Sequence, residues 1–314
     1  MELHQLRYFV AVAQTENFTR AAQKCFVAQP SLSQQIIKLE REFGGPLFDR
    51  TGRKVRLTDR GRTLFDRAIE ILAAVDGAKR AMSGDGDAGK ISIGAIPTVA
   101  PYLLPALLKR FLHDHPRTDV TVFENLTEYT IQSCLDGEVD VGVLALPVAE
   151  EQLAIEPLMT EELLLAMAVG HPLASRRNVT MQDVSKERFV LLSETHCLGQ
   201  QVVSFCKGQS CQPLVSCRSA QLLTVQELVA LGHGVSLIPR MAVDGDQSQQ
   251  REYRSLTGEK PKRTIAMIWR KRRYQSPAVQ RFVEALRQHT ANGWSKNGRR
   301  KRVRAGVGRK PDGS

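Results

Sequence analysis

Apolar residues recur at the spacing of an amphipathic helix along the first 45 residues. One stripe contains Leu3, Leu6, Phe9, Val10 and Ala13, and a later one contains Leu32, Ile36, Leu39 and Phe43. Asn17 or Thr19 can cap a short helix between them, and Pro30 fits the first turn of the later helix. Three short helices with a tight turn before the third predict a helix-turn-helix module, whose last helix enters the major groove of DNA.

Polar residues on the third predicted helix and basic residues just after it are the candidates for contacting DNA. The helix supplies Gln29, Pro30, Ser31, Ser33, Gln34 and Lys38. Two strand-like runs, 47–50 and 54–57, flank a turn and predict a wing that places Arg50, Arg53 and Lys54 against the phosphate backbone. Simple core packing of three helices and a hairpin is the alternative interpretation.

A long helix is predicted from Thr58 to about Met82, with one apolar face. Its stripe is Leu64, Ala68, Ile71, Leu72 and Val75. Because the preceding module would contact only one half-site, we expect this helix to pair with its copy in a second subunit. Packing within one chain is the alternative.

Residues 83–89 indicate a hinge, and beyond it strand-like and helical patterns alternate. Gly84, Gly86 and Gly89 match a dinucleotide-binding spacing, but a helix precedes them and a strand follows, which is the reverse of the required order. Strands are predicted at 120–123, 139–146, 163–169, 189–192, 235–238 and 264–269, and helices at 101–114, 128–136, 197–207, 221–231 and 277–289. The alternation predicts an α/β domain, with ligands bound at the loops 97–99, 125–127 and 193–196.

The charge is uneven along the chain. The 44 Lys and Arg against 33 Asp and Glu give a net charge of +11, and residues 291–314 alone hold 8 basic residues against 1 acidic residue. We expect that segment to be disordered, as a solubilising extension or as an electrostatic contact to nucleic acid.

Three prolines interrupt the longest uncharged run, 91–108, and no secretory signal is apparent, so we predict a cytoplasmic protein without a membrane partner.

The N-terminal motifs resemble those of LysR-type transcriptional regulators. The matching residues are Ala21-Ala22, Gln29 to Ser33, Ile36, Leu39-Glu40, Phe43-Gly44, Leu47-Phe48, Arg50, Leu57-Thr58 and Gly61. The resemblance implies a winged helix-turn-helix domain (1–58), a dimerising linker helix and hinge (59–88), and a two-lobed Rossmann-like effector domain similar to periplasmic binding proteins (89–290), with the tail 291–314 unmatched. It also implies double-stranded operator DNA as the partner, assembly as a homodimer or homotetramer, and RNA polymerase as a further candidate partner.

Three further segments resemble the OxyR-like branch of that family, which senses hydrogen peroxide. They are 97–105, 144–146 and the run from His196 to Cys206. The resemblance implies that Cys197 attacks peroxide and that Cys206 resolves the sulfenic acid into a disulfide. It implies peroxide-binding positions at Thr98 and Thr127, and a thiolate-favouring Arg263. The chain departs from the branch at Leu198-Gly199-Gln200, where an arginine and an aspartate are common, and at Ala220-Gln221, so Gln200 or Gln221 is a candidate substitute.

Only a thiolate attacks peroxide quickly, so Cys197 needs positive potential, which a helix start, His196 and Arg263 can supply. In a helix, nine residues separate Cys197 and Cys206 by ~13 Å, whereas a disulfide needs α-carbons within ~7 Å. Bond formation must therefore break the helix, and we expect that change to be the switch. Cys211 and Cys217 remain alternative resolving thiols, and Cys25 is a core residue by its position.

No cofactor or metal site is predicted, because the cysteine intervals do not match zinc-site spacing. Two other functions stay open from the sequence. A LysR-type regulator could respond to a small organic effector in the cleft between the lobes, with incidental cysteines. A thiol peroxidase with an attached DNA-binding module is the enzymatic alternative, although our prediction is a regulator and not an enzyme.

Overall fold

The computed structural model describes residues 1–49, 55–82 and 89–297 of the chain. Its N-terminal domain contains α1 (Leu3–Thr15), α2 (Phe18–Lys24), α3 (Gln29–Glu42), β1 (Phe48–Asp49) and β2 (Arg56–Leu57). Asn17 caps α2 by accepting hydrogen bonds from two backbone N–H groups at 2.9 and 3.0 Å. The predicted apolar stripes of α1 and α3 meet in one core around Leu6, Phe9 and Ile36. This arrangement confirms the predicted three-helix module.

The two arms of the predicted wing are present as a short antiparallel pair. Phe48 pairs with Leu57, and Asp49 pairs with Arg56. Arg50, Arg53 and Lys54, which we predicted to contact phosphates, lie outside the described residues.

The long helix α4 (Asp59–Met82) divides its apolar stripe between two environments. Leu64 and Ala68 are buried in the core of the helix-turn-helix domain of the same chain, so packing within one chain is correct for the first half of the stripe. Ile71 and Leu72 are half-buried against the edge of the same core, Val75 is also half-buried, and pairing with a second subunit stays a prediction for that half. The hinge residues 83–88 are not among the described residues.

The effector domain has two lobes, each with its own core. The first lobe begins with β3 (Gly89–Ala95), α5 (Ala100–Asp114), β4 (Thr118–Glu124), α6 (Thr127–Leu135) and β5 (Val141–Ala145). Strand β3 lies between β4 and β5, parallel to both. Every residue of β5 is buried, as expected for a strand covered on both faces.

A long strand, β6 (Leu153–Ala168), runs from the first lobe into the second. The first part of β6 pairs with β11 (Lys262–Arg270), and β11 also pairs with β5. The last part of β6 pairs with β9 (Ser236–Pro239) and β10 (Arg251–Arg254). The remaining elements are a 3-10 turn (Pro172–Ser175), α7 (Met181–Val184), β7 (Arg188–Leu192), α8 (Cys197–Gly208), β8 (Leu214–Ser219), α9 (Leu222–Ala230), β9 (Ser236–Pro239), α10 (Arg240–Gly245), β10 (Arg251–Arg254) and α11 (Pro277–Asn297). The predicted two-lobed α/β architecture is confirmed.

Several elements differ from the sequence prediction. β6 begins ten residues earlier than predicted, because its first half pairs with β11 although it lacks a continuous apolar run. β8 and β10 were not predicted, since neither has the apolar run that marked the predicted strands and each is stabilised by pairing with a neighbour. Helix α11 continues to Asn297, so Asn292–Asn297 of the segment that we predicted to be disordered is helical, and 298–314 is not described. Among the described helices, none has the length and apolar content needed to cross a bilayer.

Candidate functional site

A cleft between the two lobes lies at the carboxyl ends of β5 and β7. Its volume is about 750 Å³. The first lobe contributes residues 126–128 and 145–147, and the second lobe contributes the loop after β7 and the first turns of α8. Ligands of open α/β sheets bind at this end of the strands. The predicted loops 125–127 and 193–196 therefore reach the cleft, whereas loop 97–99 does not line it.

Cys197 lines this cleft as the first residue of α8. Its side chain is half-buried and packs against the core of the first lobe, although α8 itself belongs to the second lobe. The first N–H groups of a helix carry partial positive charge. The structure therefore supplies one of the three positive influences that the sequence predicted for Cys197.

Two unpartnered polar atoms lie in the same cleft as Cys197. The Thr127 Oγ1 and the Gln201 Oε1 are buried and have no hydrogen-bond partner within the part of the chain that the structure describes. The amide of Gln201 is held in place because its Nε2 donates to the Leu146 carbonyl oxygen at 2.8 Å. Buried polar groups are rarely left unpaired, so both atoms are available to a small polar ligand. Thr127 was predicted as a binding residue, and Gln201 was not.

His196 lies immediately before α8 and is buried, but it does not line the cleft. Burial lowers the pKa of its imidazole below the ordinary value of 6.5, and a hydrogen bond to the Ala220 backbone opposes that shift. The ring is therefore mainly neutral at pH 7. It connects the start of α8 to the segment after β8 and does not supply the positive charge that we expected.

Arg263 and Thr98 belong to a buried network beside the cleft. The guanidinium of Arg263 donates to Thr98 Oγ1 at 2.8 Å and to the Thr98 carbonyl oxygen at 3.0 Å. It also forms an ion pair with Glu161, in which both side chains are fully buried and the Nε to Oε1 distance is 2.8 Å. The second oxygen of Glu161 accepts the Met241 N–H at the start of α10, at 2.8 Å. The network therefore joins the two lobes.

The same network changes the expected role of Arg263. Its charge is compensated by Glu161, so the thiolate-favouring influence that the resemblance implies is offset. The Thr98 hydroxyl is occupied by Arg263, and neither residue lines the cleft of Cys197. Glu161 had no signal in the sequence, because its partner lies 102 residues away.

The two glutamines considered as substitutes have different positions. Gln200 lines the cleft, and its Nε2 donates to the Glu194 carbonyl oxygen at 2.8 Å. Gln221 precedes α9, is exposed and does not line the cleft.

Gly199 lies in the Leu198-Gly199-Gln200 segment, where the chain departs from the OxyR-like pattern. A Cβ on Gly199 would lie 2.5 Å from the Ser193 carbonyl oxygen. Glycine therefore allows the first turn of α8 to pack against the end of β7, where a larger residue would clash.

Cys206 is fully buried in the core of the second lobe, at the other end of α8. Burial raises the pKa of its thiol to about 12, and the neighbouring Cys211 thiol adds to this increase. Cys206 and Cys197 thus contact different cores across an intact helix. Within the described ranges, no group of three His, Cys, Asp or Glu residues is placed to hold a metal ion.

The predicted DNA-contacting residues of the N-terminal domain share the outer face of α3. Gln29, Pro30, Ser31, Gln34 and Lys38 are exposed, and Ser33 is half-buried. The opposite face buries Leu32, Ile36 and Leu39. The helix therefore presents hydrogen-bonding and basic side chains to solvent, as direct readout of base edges requires.

Comparison with known proteins identifies both parts of this architecture. Residues 3–62 match the bacterial regulatory helix-turn-helix protein model of the lysR family, and residues 84–291 match the LysR substrate binding domain. The chain belongs to the LysR family. It is therefore a DNA-binding regulatory protein by family, with a helix-turn-helix domain followed by a substrate-binding-type domain.

Individual LysR-family relatives are similar along most of the chain. A hydrogen peroxide-inducible genes activator of Dickeya chrysanthemi is 35% identical over 292 residues, which covers 92% of this chain and 96% of that protein. The structure of a full-length OxyR from Pseudomonas aeruginosa, with a cysteine-to-aspartate substitution, is 31% identical with a TM-score of 0.74 and covers 93% of this chain and 95% of that one. A Corynebacterium glutamicum OxyR cysteine-to-serine mutant with bound H2O2 is 28% identical, with a TM-score of 0.63 and coverage of 95% and 96%.

Proposed function

We propose that this LysR-family protein is a transcriptional regulator that detects hydrogen peroxide at Cys197 and converts the signal into a reversible Cys197–Cys206 disulfide. The observation that carries the proposal is the position of Cys197 at a helix N-terminus, in a cleft that also contains the unpartnered Thr127 hydroxyl. The similarity to proteins named as peroxide-inducible activators and to OxyR structures supports the choice of oxidant.

The chemistry needs one peroxide molecule and no other reactant. The Cys197 thiolate attacks one peroxide oxygen, the O–O bond breaks, and the departing hydroxide takes a proton to become water. Cys197 is then a sulfenic acid. Thr127 Oγ1 and Gln201 Oε1 can hold the peroxide, since one can donate and both can accept a hydrogen bond. The Cys206 sulfur then attacks the Cys197 sulfur, and the sulfenic oxygen leaves as a second water with the Cys206 thiol proton.

The second step requires a change in α8. Nine residues along a helix span ~13 Å, whereas disulfide-bonded α-carbons lie within ~7 Å. Cys206 also begins as a buried thiol with a raised pKa, so it reacts only after the segment opens. Opening removes Leu198 and Val202 from the second-lobe core, which is the conformational change that the proposal assigns to the oxidised state.

The output of the proposed switch is a change in how two DNA-binding domains are spaced. Helix α4 contacts the effector domain through the ion pair between Asp66 and Arg270, whose Oδ1 and Nη2 atoms are 2.6 Å apart. A rearranged effector domain can therefore move α4 and the exposed face of α3. Assembly as a homodimer or homotetramer on operator DNA and contact with RNA polymerase belong to this proposal as predictions.

Counting free thiols on the full chain tests the proposal. The chain has six cysteines, and one equivalent of H2O2 should remove two thiols from the wild type and from Cys25→Ser, a matched substitution in the DNA-binding domain. Cys197→Ser should retain all five of its remaining thiols and still bind DNA. If wild type loses no thiols, or if Cys197→Ser keeps its peroxide response, the redox assignment is wrong.

Two alternatives have distinct outcomes in the same experiments. The cleft volume of about 750 Å³ would also hold a small organic effector, and a Cys197→Ser variant that keeps a normal transcriptional response would favour that function. Multiple turnovers of peroxide with a thiol reductant, at a rate unchanged by removal of residues 1–88, would favour a thiol peroxidase.

A further inference from the structure

The C-terminal end of α8 places a second cysteine against Cys206. Ser210 adopts a left-handed conformation with φ of 54°. Its N–H donates to the Lys207 carbonyl oxygen at 3.0 Å, and the Cys211 N–H donates to the Cys206 carbonyl oxygen at 2.9 Å. These two hydrogen bonds define a Schellman motif, in which the side chains at the two outer positions commonly contact each other. Here both outer residues are cysteines.

Cys206 and Cys211 are buried together in the second-lobe core. Burial is the largest cause of the raised pKa of each thiol, and a hydrogen bond between the two thiols also contributes to the pKa of both. Both groups are therefore neutral at pH 7. Neutral buried thiols react poorly with peroxide, so oxidation of this pair must begin elsewhere in the chain.

We propose that Cys211 takes over the disulfide from Cys197, so that a Cys206–Cys211 bond is the final oxidised state. This inference rests on the proposed function, which supplies the Cys197–Cys206 bond. In the exchange, the Cys211 sulfur loses its proton and attacks the Cys206 sulfur, the bond between Cys206 and Cys197 breaks, and Cys197 leaves as a thiolate that takes up a proton. One disulfide is exchanged for another, so no further oxidant or reductant is consumed.

The direction of the exchange follows from the geometry of α8. The Cys197–Cys206 bond can exist only while α8 is broken, because ~13 Å of helix would otherwise separate the two residues. The Cys206–Cys211 bond joins residues that contact each other at the end of an intact α8. Exchange therefore lets the helix re-form and returns Leu198 and Val202 to the core. A disulfide that does not oppose native packing is favoured over a strained one.

The exchange would end the signal without a reductase. Helix α8 would regain its resting conformation, and Cys197 would again be a thiol in the cleft. The protein would nevertheless lack a resolving thiol until Cys206 was reduced. A second peroxide would then leave Cys197 as a sulfenic acid.

Tryptic peptides distinguish the two disulfides directly. Cleavage after Arg188, Lys207 and Arg218 places Cys197 and Cys206 in peptide 189–207, and Cys211 and Cys217 in peptide 208–218. A Cys197–Cys206 bond is an internal loop that lowers the mass of peptide 189–207 by two hydrogens. A Cys206–Cys211 bond links the two peptides into one species.

The full chain is treated with one equivalent of H2O2, alkylated at successive times and digested. In wild type and in Cys217→Ser we expect the internal loop first, then the linked pair, with Cys197 alkylatable again. In Cys211→Ser the internal loop should persist. Cys197→Ser should form no linked pair with H2O2, because the buried, neutral Cys206 and Cys211 thiols do not start the oxidation.

The contrary results separate the two claims. An internal loop that persists equally in wild type and Cys211→Ser overturns the exchange and leaves the proposed function intact. A linked pair that disappears in Cys217→Ser assigns the bond to Cys217 and overturns the role of Cys211. A linked pair that forms in Cys197→Ser at the wild-type rate means that Cys206 and Cys211 are oxidised directly, and it overturns the exchange. If no variant loses a thiol to peroxide, the proposed function fails and the exchange fails with it.

Discussion

The ion pair between Arg263 and Glu161 joins the two lobes beside the cleft, and its contribution to the free energy of unfolding can be predicted from its geometry. Both side chains are fully buried, and their closest atoms are 2.8 Å apart. At that distance, with an effective dielectric constant of about 20, the Coulomb attraction is about 6 kcal/mol, most of which offsets the cost of removing both charges from water. Glu161→Gln leaves the guanidinium buried without a counter-charge. We expect it to lower the free energy of unfolding by about 3–5 kcal/mol.

A second ion pair in the same chain provides a matched control. Arg287 and Glu156 have an Nε to Oε1 distance of 2.7 Å, but their side chains are 44% and 32% exposed. Glu156→Gln should therefore change the free energy of unfolding by less than about 1 kcal/mol. Urea unfolding of the full chain, followed by tryptophan fluorescence and circular dichroism, measures both variants under one condition.

A double variant separates the lost interaction from the isolated charge. Glu161→Leu combined with Arg263→Met removes both charges, so it should be less destabilised than Glu161→Gln alone. Equal stability losses for Glu161→Gln and Glu156→Gln would show that Glu161→Gln does not leave an uncompensated buried charge on Arg263. That result would mean that water or another group compensates Arg263, and that Thr98 is not held by a buried charge.

Three further predictions concern the first turn of α8, the buried imidazole and the DNA-binding face. Gly199→Ala should destabilise the protein by about 1–3 kcal/mol in urea unfolding. The added Cβ would lie 2.5 and 2.6 Å from two backbone carbonyl oxygens. A Cβ at Gly208 would meet nothing within 4 Å, so the control Gly208→Ala should not destabilise the protein. The folded-state pKa of His196 is below 6.5, so the unfolded chain binds the proton first as the pH falls. The free energy of unfolding should therefore decrease as the pH falls below 6.5. His196→Asn should flatten that pH dependence, and an unchanged slope would contradict the lowered pKa. Lys38→Ala should weaken DNA binding and reduce its salt slope by about 1 in fluorescence anisotropy titrations, while Lys90→Ala, at an exposed position of the effector domain, should match wild type.

The sequence predicted those parts of the fold that depend on local pattern. The stripes of α1 and α3, the cap at Asn17 and the start of α8 at Cys197 each follow from residues a few positions apart. The first half of β6 could not be predicted in this way, because it is stabilised by its antiparallel partner β11. The same reason explains β8 and β10, which lack a run of apolar residues and are stabilised by their partner strands.

The candidate site shows the same division between local and distant information. Position alone placed Thr127 and Cys197 at the correct edge of the sheet, where each residue begins a helix. Glu161 could not be found, because its pairing with Arg263 depends on two strands that are far apart in sequence. The neutral state of His196 also depends on burial, which composition cannot reveal. Gln201 had a weak signal only, as a polar residue one helical turn after Cys197.

Amide hydrogen exchange over α8 shows whether this helix opens when Cys197 and Cys206 are joined. The full chain is measured before peroxide addition and immediately after one equivalent of H2O2 has removed two thiols. We expect that amides between Gln200 and Cys206 lose their protection when Cys197 and Cys206 are joined, while β5 and β11 stay protected. Unchanged protection of α8 in the oxidised protein would contradict it, because an intact helix cannot bring the two sulfurs together.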